Sequence, residues 1–259
     1  MRASRADNAR MSPAPTNAPA RTANFDVNTL RIVIHGARGR MGERIAACAE
    51  SDGRCAVAQR IDRGDALSLR TGDADAVLDF SSSEGAVRAA ELAESLGCAL
   101  LVGTTGLSDA ALGAVGGAAR HVPAMVAPNT SLGVAVARRL AAEAARLLAG
   151  FDVDIVETHH VRKLDAPSGT ARSLAEAVGR GRGTAMDPAR IHSLRAGDVV
   201  GDHEVAFSGP GERICVTHRA TSRDLFALGA IRMARWLAAQ PAGMHSPDAW
   251  FDDLVRGRG

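Results

Sequence analysis

The chain has 259 residues, 46% of them hydrophobic and 23% charged, which suits one large domain or two modest ones. A net charge of +2, 3% aromatic residues and no tyrosine argue against a basic or base-stacking nucleic-acid surface. No run of about 18 or more apolar residues marks a membrane span, and Cys48, Cys55, Cys98 and Cys215 lack any zinc-like or C-x-x-C spacing, reading as reduced thiols of a cytoplasmic protein.

Residues 1–28, rich in Ala, Arg, Asn and Pro and without periodicity, read as a disordered tail. From Leu30 the pattern changes to short apolar strands alternating with helices. Leu30–Ile34, Cys55–Ile61, Ala76–Phe80, Ala99–Val102 and Ala124–Ala127 are the predicted strands; Met41–Glu50, Glu84–Leu96 and Ser108–Arg120 are the predicted helices. That alternation predicts a Rossmann-like, doubly wound parallel sheet. A long Ala-rich helix over Ser131–Leu148 follows, then a strand (Asp152–Thr158), a helix (Ser168–Val178) and a strand-rich stretch from Ile191 to Thr217. Consecutive strands without intervening helices predict an α+β unit with a mixed sheet. Leu225–Ala239 is the last predicted helix. The expected division is 29–129 plus 234–259 as a dinucleotide-binding domain and 130–233 as a second domain.

Gly36-Ala37-Arg38-Gly39-Arg40-Met41-Gly42 follows the first strand and opens a helix, the setting in which glycines let backbone amides approach a pyrophosphate. The second strand ends at Asp62, an acceptor for ribose hydroxyls. Arg63 beside it is a partner for a 2′-phosphate, so NADH and NADPH both stay open. Gly103-Thr104-Thr105 and Ala127-Pro128-Asn129-Thr130 end later strands at the same sheet edge and are candidate walls for the nicotinamide.

Glu157–Ala171 (ETHHVRKLDAPSGTA) concentrates proton donors beside a Ser-Gly-Thr helix start that can hold an anion. If Thr158–Lys163 stays extended, His159, Val161 and Lys163 face one way and His160 and Arg162 the other. Adjacent histidines on a strand diverge and no further ligands lie nearby, so no metal is expected.

The ordered motifs GARGRMG, GTTG, HHVRKLDAPSGTA, RAGDVVGDHEVAFSGPGERI and THRATSRDLFALGAIRMARWL together resemble the 4-hydroxy-tetrahydrodipicolinate (dihydrodipicolinate) reductase family, from about Leu30 to the C-terminus. The resemblance implies NAD(P)H-dependent reduction of a small cyclic dicarboxylate in diaminopimelate and lysine synthesis. It implies His159 and Lys163 as proton donors, and His160, Gly169 and Thr170 as substrate contacts. Gly36 to Met41, Asp62, Arg63, Gly103 to Thr105 and Ala127 to Thr130 then bind the cofactor. The second domain is expected to carry the contacts of a homotetramer, and domain closure is expected about connections near residue 130 and in the 230s. Two departures stand out: Val161-Arg162 replaces the Arg-His often seen there, and the 63–76 stretch is short, trimming a strand or helix. The rival readings are a dehydrogenase of another small imine or amino acid, and a non-catalytic dinucleotide sensor.

Overall fold

The computed structural model describes residues 29–258, so the tail expected over 1–28 lies outside the described residues. The first half of the chain runs β1 (Leu30–His35), α1 (Arg40–Asp52), β2 (Cys55–Ile61), β3 (Ala76–Asp79), α2 (Ser83–Leu96), β4 (Ala99–Val102), α3 (Asp109–Ala118) and β5 (Pro123–Val126). The second half runs α4 (Leu132–Leu147), β6 (Asp152–His159), α5 (Gly169–Arg182), β7 (Ile191–Arg195), β8 (Gly201–Gly209), β9 (Glu212–Ala220), α6 (Asp224–Leu237), β10 (Gly243–His245) and α7 (Pro247–Val255).

The first sheet is parallel throughout, in the order β10-β5-β4-β3-β1-β2. Alternate residues of its strands feed two apolar layers. Ile32, Ile34 and Leu101 pack with Ile45 of α1, Ile231 of α6 and Trp250 of α7, whereas Val33, Val77 and Leu100 pack with Leu92 of α2 and Val115 of α3. Both faces are thus covered, as an all-parallel sheet requires. Residues 62–75, between β2 and β3, form no helix or strand.

The second sheet is mixed, ordered β7-β6-β8-β9, with β6 parallel to β7 and antiparallel to β8. Helices α4 and α5 cover one face, where Val153, Ile155, Val205 and Phe207 meet Ala141, Leu174 and Val178. Along β6 the inward positions read Val153, Ile155, Glu157, His159, so the apolar stripe turns polar toward the C-terminal end of the strand. The opposite face carries no helix among the described residues.

Several helices start on a serine (Ser82, Ser108, Ser131, Ser168, Ser246) whose hydroxyl accepts a first-turn N–H. The chain passes from the first sheet to the second at 127–131 and returns at 220–224. That return precedes α6 instead of falling in the 230s, because Ala227, Ala230, Ile231 and Ala234 of α6 are all buried in the core of the first sheet.

Candidate active site

The loops after β1 to β5 share one edge of the first sheet, and the strand order reverses between the neighbours β1 and β3, where a doubly wound sheet opens a crevice. Gly36 leaves β1 with φ +80°, and a Cβ there would lie 2.5 Å from the Phe80 carbonyl oxygen, so only glycine fits this turn. Its N–H donates to the Ile61 carbonyl (2.9 Å). Helix α1 then begins at Gly39, whose cap position holds no side-chain hydrogen bond among the described residues. Its first-turn amides therefore have no intrahelical acceptors and suit a pyrophosphate. Beside them a cavity of about 220 Å³ is lined by Ala37, Arg38, Glu43, Arg60, Asp62 and Asp65. Asp62 Oδ2 accepts the Arg38 N–H (2.9 Å), and the Arg38 guanidinium is held by Asp65 (3.2 Å). The shape and donor set fit the adenosine end of a nicotinamide dinucleotide.

Of the residues expected to bind the cofactor, Ala37, Arg38 and Asp62 line this cavity, but Arg63 is not among the residues lining it. Its charge acts on Glu84 instead. That carboxyl is held below its usual range first by its own backbone N–H at the start of α2, then by Ser82, with Arg63 as a lesser contributor. Gly103 is covered by the Phe80 ring. Thr104 is buried, donates to Asp79 Oδ2 (2.6 Å) and accepts the Ser81 N–H (2.8 Å), so its hydroxyl is committed to the loop. Thr105 is exposed. Ala127 is buried and Pro128 exposed, while Thr130 donates to the Phe226 carbonyl (2.7 Å) and ties the crossover to α6. Beneath these loops His35 Nδ1 meets Asp79 Oδ1 (2.8 Å), both side chains buried. This pair joins β1 to β3 and was not singled out by the motif reading; the only sign of it is a histidine and an aspartate at the last positions of two apolar strands.

The second half of the site grows from β6. His159 Nδ1 is hydrogen-bonded to Glu157 Oε2. Glu157 Oε1 accepts the Ser168 N–H (3.3 Å) and the Arg195 Nη1 (3.2 Å). Burial raises the affinity of Glu157 for a proton, but hydrogen bonds from Ser193, His159 and Arg195 together outweigh it and keep the carboxyl below its ordinary range. With Nδ1 engaged, the other ring nitrogen of His159 is the one left to serve a ligand. A Cβ at Gly201 would lie 3.0 Å from that Nε2, so glycine there keeps its approach clear. The sheet register assembles the rest: Glu157 stands opposite His203, His203 opposite His218, and His159 opposite Arg195. The His203 ring meets His159 edge-on at 5.1 Å, its Nε2 lies 3.3 Å from Ser168 Oγ, and burial pushes its pKa down to about 4. Glu157, Arg195 and His203 were not predicted as site residues. Strand alternation pairs Glu157 with His159, whereas Arg195 and His203 depend on a register that no local pattern encodes.

One expectation is corrected. The strand ends at His159 instead of running extended to Lys163. The chain turns there: Val161 N–H donates to the Gly197 carbonyl (3.1 Å) and Lys163 N–H to the His160 carbonyl (3.0 Å). Alternation therefore does not set the direction of Lys163. Arg195 pins this loop through the carbonyls of Lys163 (3.1 Å) and Asp165 (2.5 Å), and Lys163 Nζ pairs with Asp165 (2.9 Å). The Lys163 charge still reaches the imidazoles, since it helps to depress both His160 and His203. His160 is held below its usual value by burial and then by Arg162 and Arg223. Val161 and Arg162, where the chain departs from the motif, both lie exposed on this turn.

Helix α5 starts beside Glu157, with Ser168 Oγ accepting the Ala171 N–H (3.1 Å). The Gly169 and Thr170 amides are left without intrahelical acceptors by helix geometry, an anion cradle of the kind the sequence predicts. Asn129, at the end of the cofactor-side loop, donates to Thr170 Oγ1 (2.9 Å), so the two halves of the site meet.

A dinucleotide crevice joined to a pocket of proton donors and anion-holding amides defines a Rossmann-type NAD(P)H-dependent oxidoreductase. The family model described as dihydrodipicolinate reductase, N-terminus, matches residues 30–130, and its C-terminus counterpart matches residues 133–249. The chain belongs to the dihydrodipicolinate reductase family. The 4-hydroxy-tetrahydrodipicolinate reductase of Anaeromyxobacter dehalogenans (strain 2CP-1) is 41% identical over 83% of this chain and 95% of its own. That of Campylobacter jejuni subsp. doylei is 38% identical over 87% and 98%. A dipicolinate-bound dihydrodipicolinate reductase from Paenisporosarcina sp. TG-14 shares the fold, with a TM-score of 0.70 at 23% identity over 84% of this chain and 97% of that one.

Proposed function

We propose that this chain reduces 4-hydroxy-tetrahydrodipicolinate to tetrahydrodipicolinate with loss of water, using NADH or NADPH, in diaminopimelate and lysine synthesis. Residues 29–129 with α6, β10 and α7 bind the cofactor, and 130–223 hold the substrate. The cofactor, when bound, supplies the hydride. The chain's own residues do the rest. One carboxylate of the ring sits on the Gly169 and Thr170 amides and the positive end of α5. His159, with Nδ1 fixed on Glu157, presents Nε2 as the proton donor; the ionised Glu157 stabilises the imidazolium that must give up that proton. Lys163 supplies a second donor and His160 a further contact. Gly36 to Met41, Asp62 and the backbones of Gly103 to Thr105 and Ala127 to Thr130 line the cofactor.

The observation that carries this reading is the Glu157–His159 pair set beside the α5 N-terminus and within reach of the cofactor loop through Asn129. Its test is turnover of enzymatically generated substrate, followed by absorbance of the reduced cofactor. His159→Gln and Lys163→Ala should each lower kcat by about 10²-fold or more while cofactor binding persists. Wild-type turnover by both variants would overturn the assignment. Cofactor binding without turnover by the unaltered chain would favour a sensor instead.

We also propose a homotetramer built on the uncovered face of the second sheet, and a cytoplasmic setting. Buried Cys48, Cys55 and Cys98 are free thiols, which fits a reducing compartment, and no helix among the described residues is long and apolar enough to cross a membrane.

A further inference from the structure

Asn129 was expected to serve the cofactor, but its side chain faces the other way. Its Oδ1 accepts the Ser131 N–H (2.9 Å), which fixes the orientation of the amide and directs Nδ2 to Thr170 Oγ1 (2.9 Å). Both polar ends of the side chain are thereby engaged within the protein. A hydroxyl has one proton and two lone pairs. Because the Thr170 oxygen already accepts from Asn129, its proton remains to be donated, and a hydroxyl that accepts one hydrogen bond is a stronger donor in the next. That hydroxyl sits in the first turn of α5, next to the Gly169 and Thr170 amides.

We propose that Asn129 is a positioning residue for substrate: by occupying a lone pair of Thr170 Oγ1 it turns that hydroxyl into a donor for the carboxylate held at the start of α5. This rests on the reading of Gly169 and Thr170 as the carboxylate site. It also means that the loop ending β5 contributes its backbone to the cofactor and its one amide side chain to the substrate. The carboxylate end of the substrate is gripped across the junction of the two units.

The informative variant is Asn129→Asp. It keeps an oxygen for the Ser131 N–H but replaces the donor with an acceptor, so the Thr170 proton turns to residue 129 and a negative charge faces the ligand. The measurement is calorimetric binding of dipicolinate, a planar dicarboxylate, and of picolinate, which lacks one carboxylate, to the full chain with NADH present. Asn129→Asp should weaken dipicolinate by more than tenfold and Asn129→Ala by about threefold to tenfold, the range of one neutral hydrogen bond. Thr170→Val should match Asn129→Ala, and combining the two should add less than about twofold, since both remove the same bond. The ratio of dipicolinate to picolinate affinity should fall in each case, a change that simple loss of folding would not produce. The proposal is overturned if the Asn129 variants weaken NADH but leave dipicolinate unchanged, or if their effect is fully retained in the Thr170→Val background. Turnover by the unaltered chain separately decides the proposed activity, so the two can fail independently.

Discussion

His159 works through its neighbours. An imidazole must be oriented and held in one protonation pattern to donate on demand, and Glu157 does both through a buried carboxylate kept ionised by Ser193, His159 and Arg195. Removing that charge while keeping the shape isolates the effect. Glu157→Gln should lower kcat about 10²-fold, with a much smaller change in KM for cofactor. A kcat for the variant equal to that of the unaltered chain would remove Glu157 from the mechanism. At this scale the sequence was readable where residues are contiguous. The GARGRMG turn and Asp62 were found because strand, turn and helix follow one another locally. Lys163 was given the right neighbourhood for the wrong geometric reason, since hydrogen bonds to Gly197 and His160 bend the segment that alternation treats as straight. The hydrogen bonds that commit the hydroxyls of Thr104 and Thr130 were not legible, because their partners Asp79 and Phe226 lie far along the chain.

Strands rather than single residues bring the histidines together. The row Ser193–Glu157–His203–His218 runs across β7, β6, β8 and β9, and only the register puts these positions side by side. The mixed sheet was predictable because strands follow one another without intervening helices, but which residue faces which was not. The row has a thermodynamic signature. His203 is buried, and burial first, then the neighbouring His159 and His218, bring its pKa down to about 4 from an ordinary imidazole value of about 6.5. Between those values the unfolded chain binds a proton that the folded chain refuses, so stability falls as pH drops. His218 is lowered too, by burial, and pushes in the same direction. The His203 part is on the order of 3 kcal/mol at most, fully present above about pH 6.5 and lost toward pH 4. Urea unfolding midpoints should therefore decline over this window, and His203→Gln should flatten the decline. Equal slopes for the two proteins would show that His203 is not the group responsible.

On the scale of the whole molecule, the two sheets are finished differently. The first is covered on both faces, whereas the second is covered by α4 and α5 on one face only. Its open face is flat, and many of its polar side chains are already paired within the plane: Asp154 with Arg190 (3.1 Å) and His192 (3.0 Å), and Thr217 with Glu204 (3.2 Å). Between them lie Val156, Ala206, exposed Leu194 and exposed Cys215, with Ala206 directly opposite Cys215. Polar groups satisfied in the plane lose little when water leaves, and small or apolar side chains between them let another sheet approach to about 10 Å. A second copy of the same face meets both conditions, because a two-fold axis makes one patch its own complement. A bulky charge near the middle should prevent that contact without touching the site, which lies on the opposite face. Ala206→Arg should therefore convert a tetramer into dimers or monomers in light scattering, while cofactor binding at the first sheet persists. A monomeric unaltered chain at micromolar concentration would remove the proposed assembly, and an Ala206→Arg chain that stays tetrameric would move it to another surface. The same substitution separates assembly from catalysis. His159, Glu157 and the α5 N-terminus all come from one chain, so a dissociated variant should still bind dipicolinate even where packing of the second sheet has loosened.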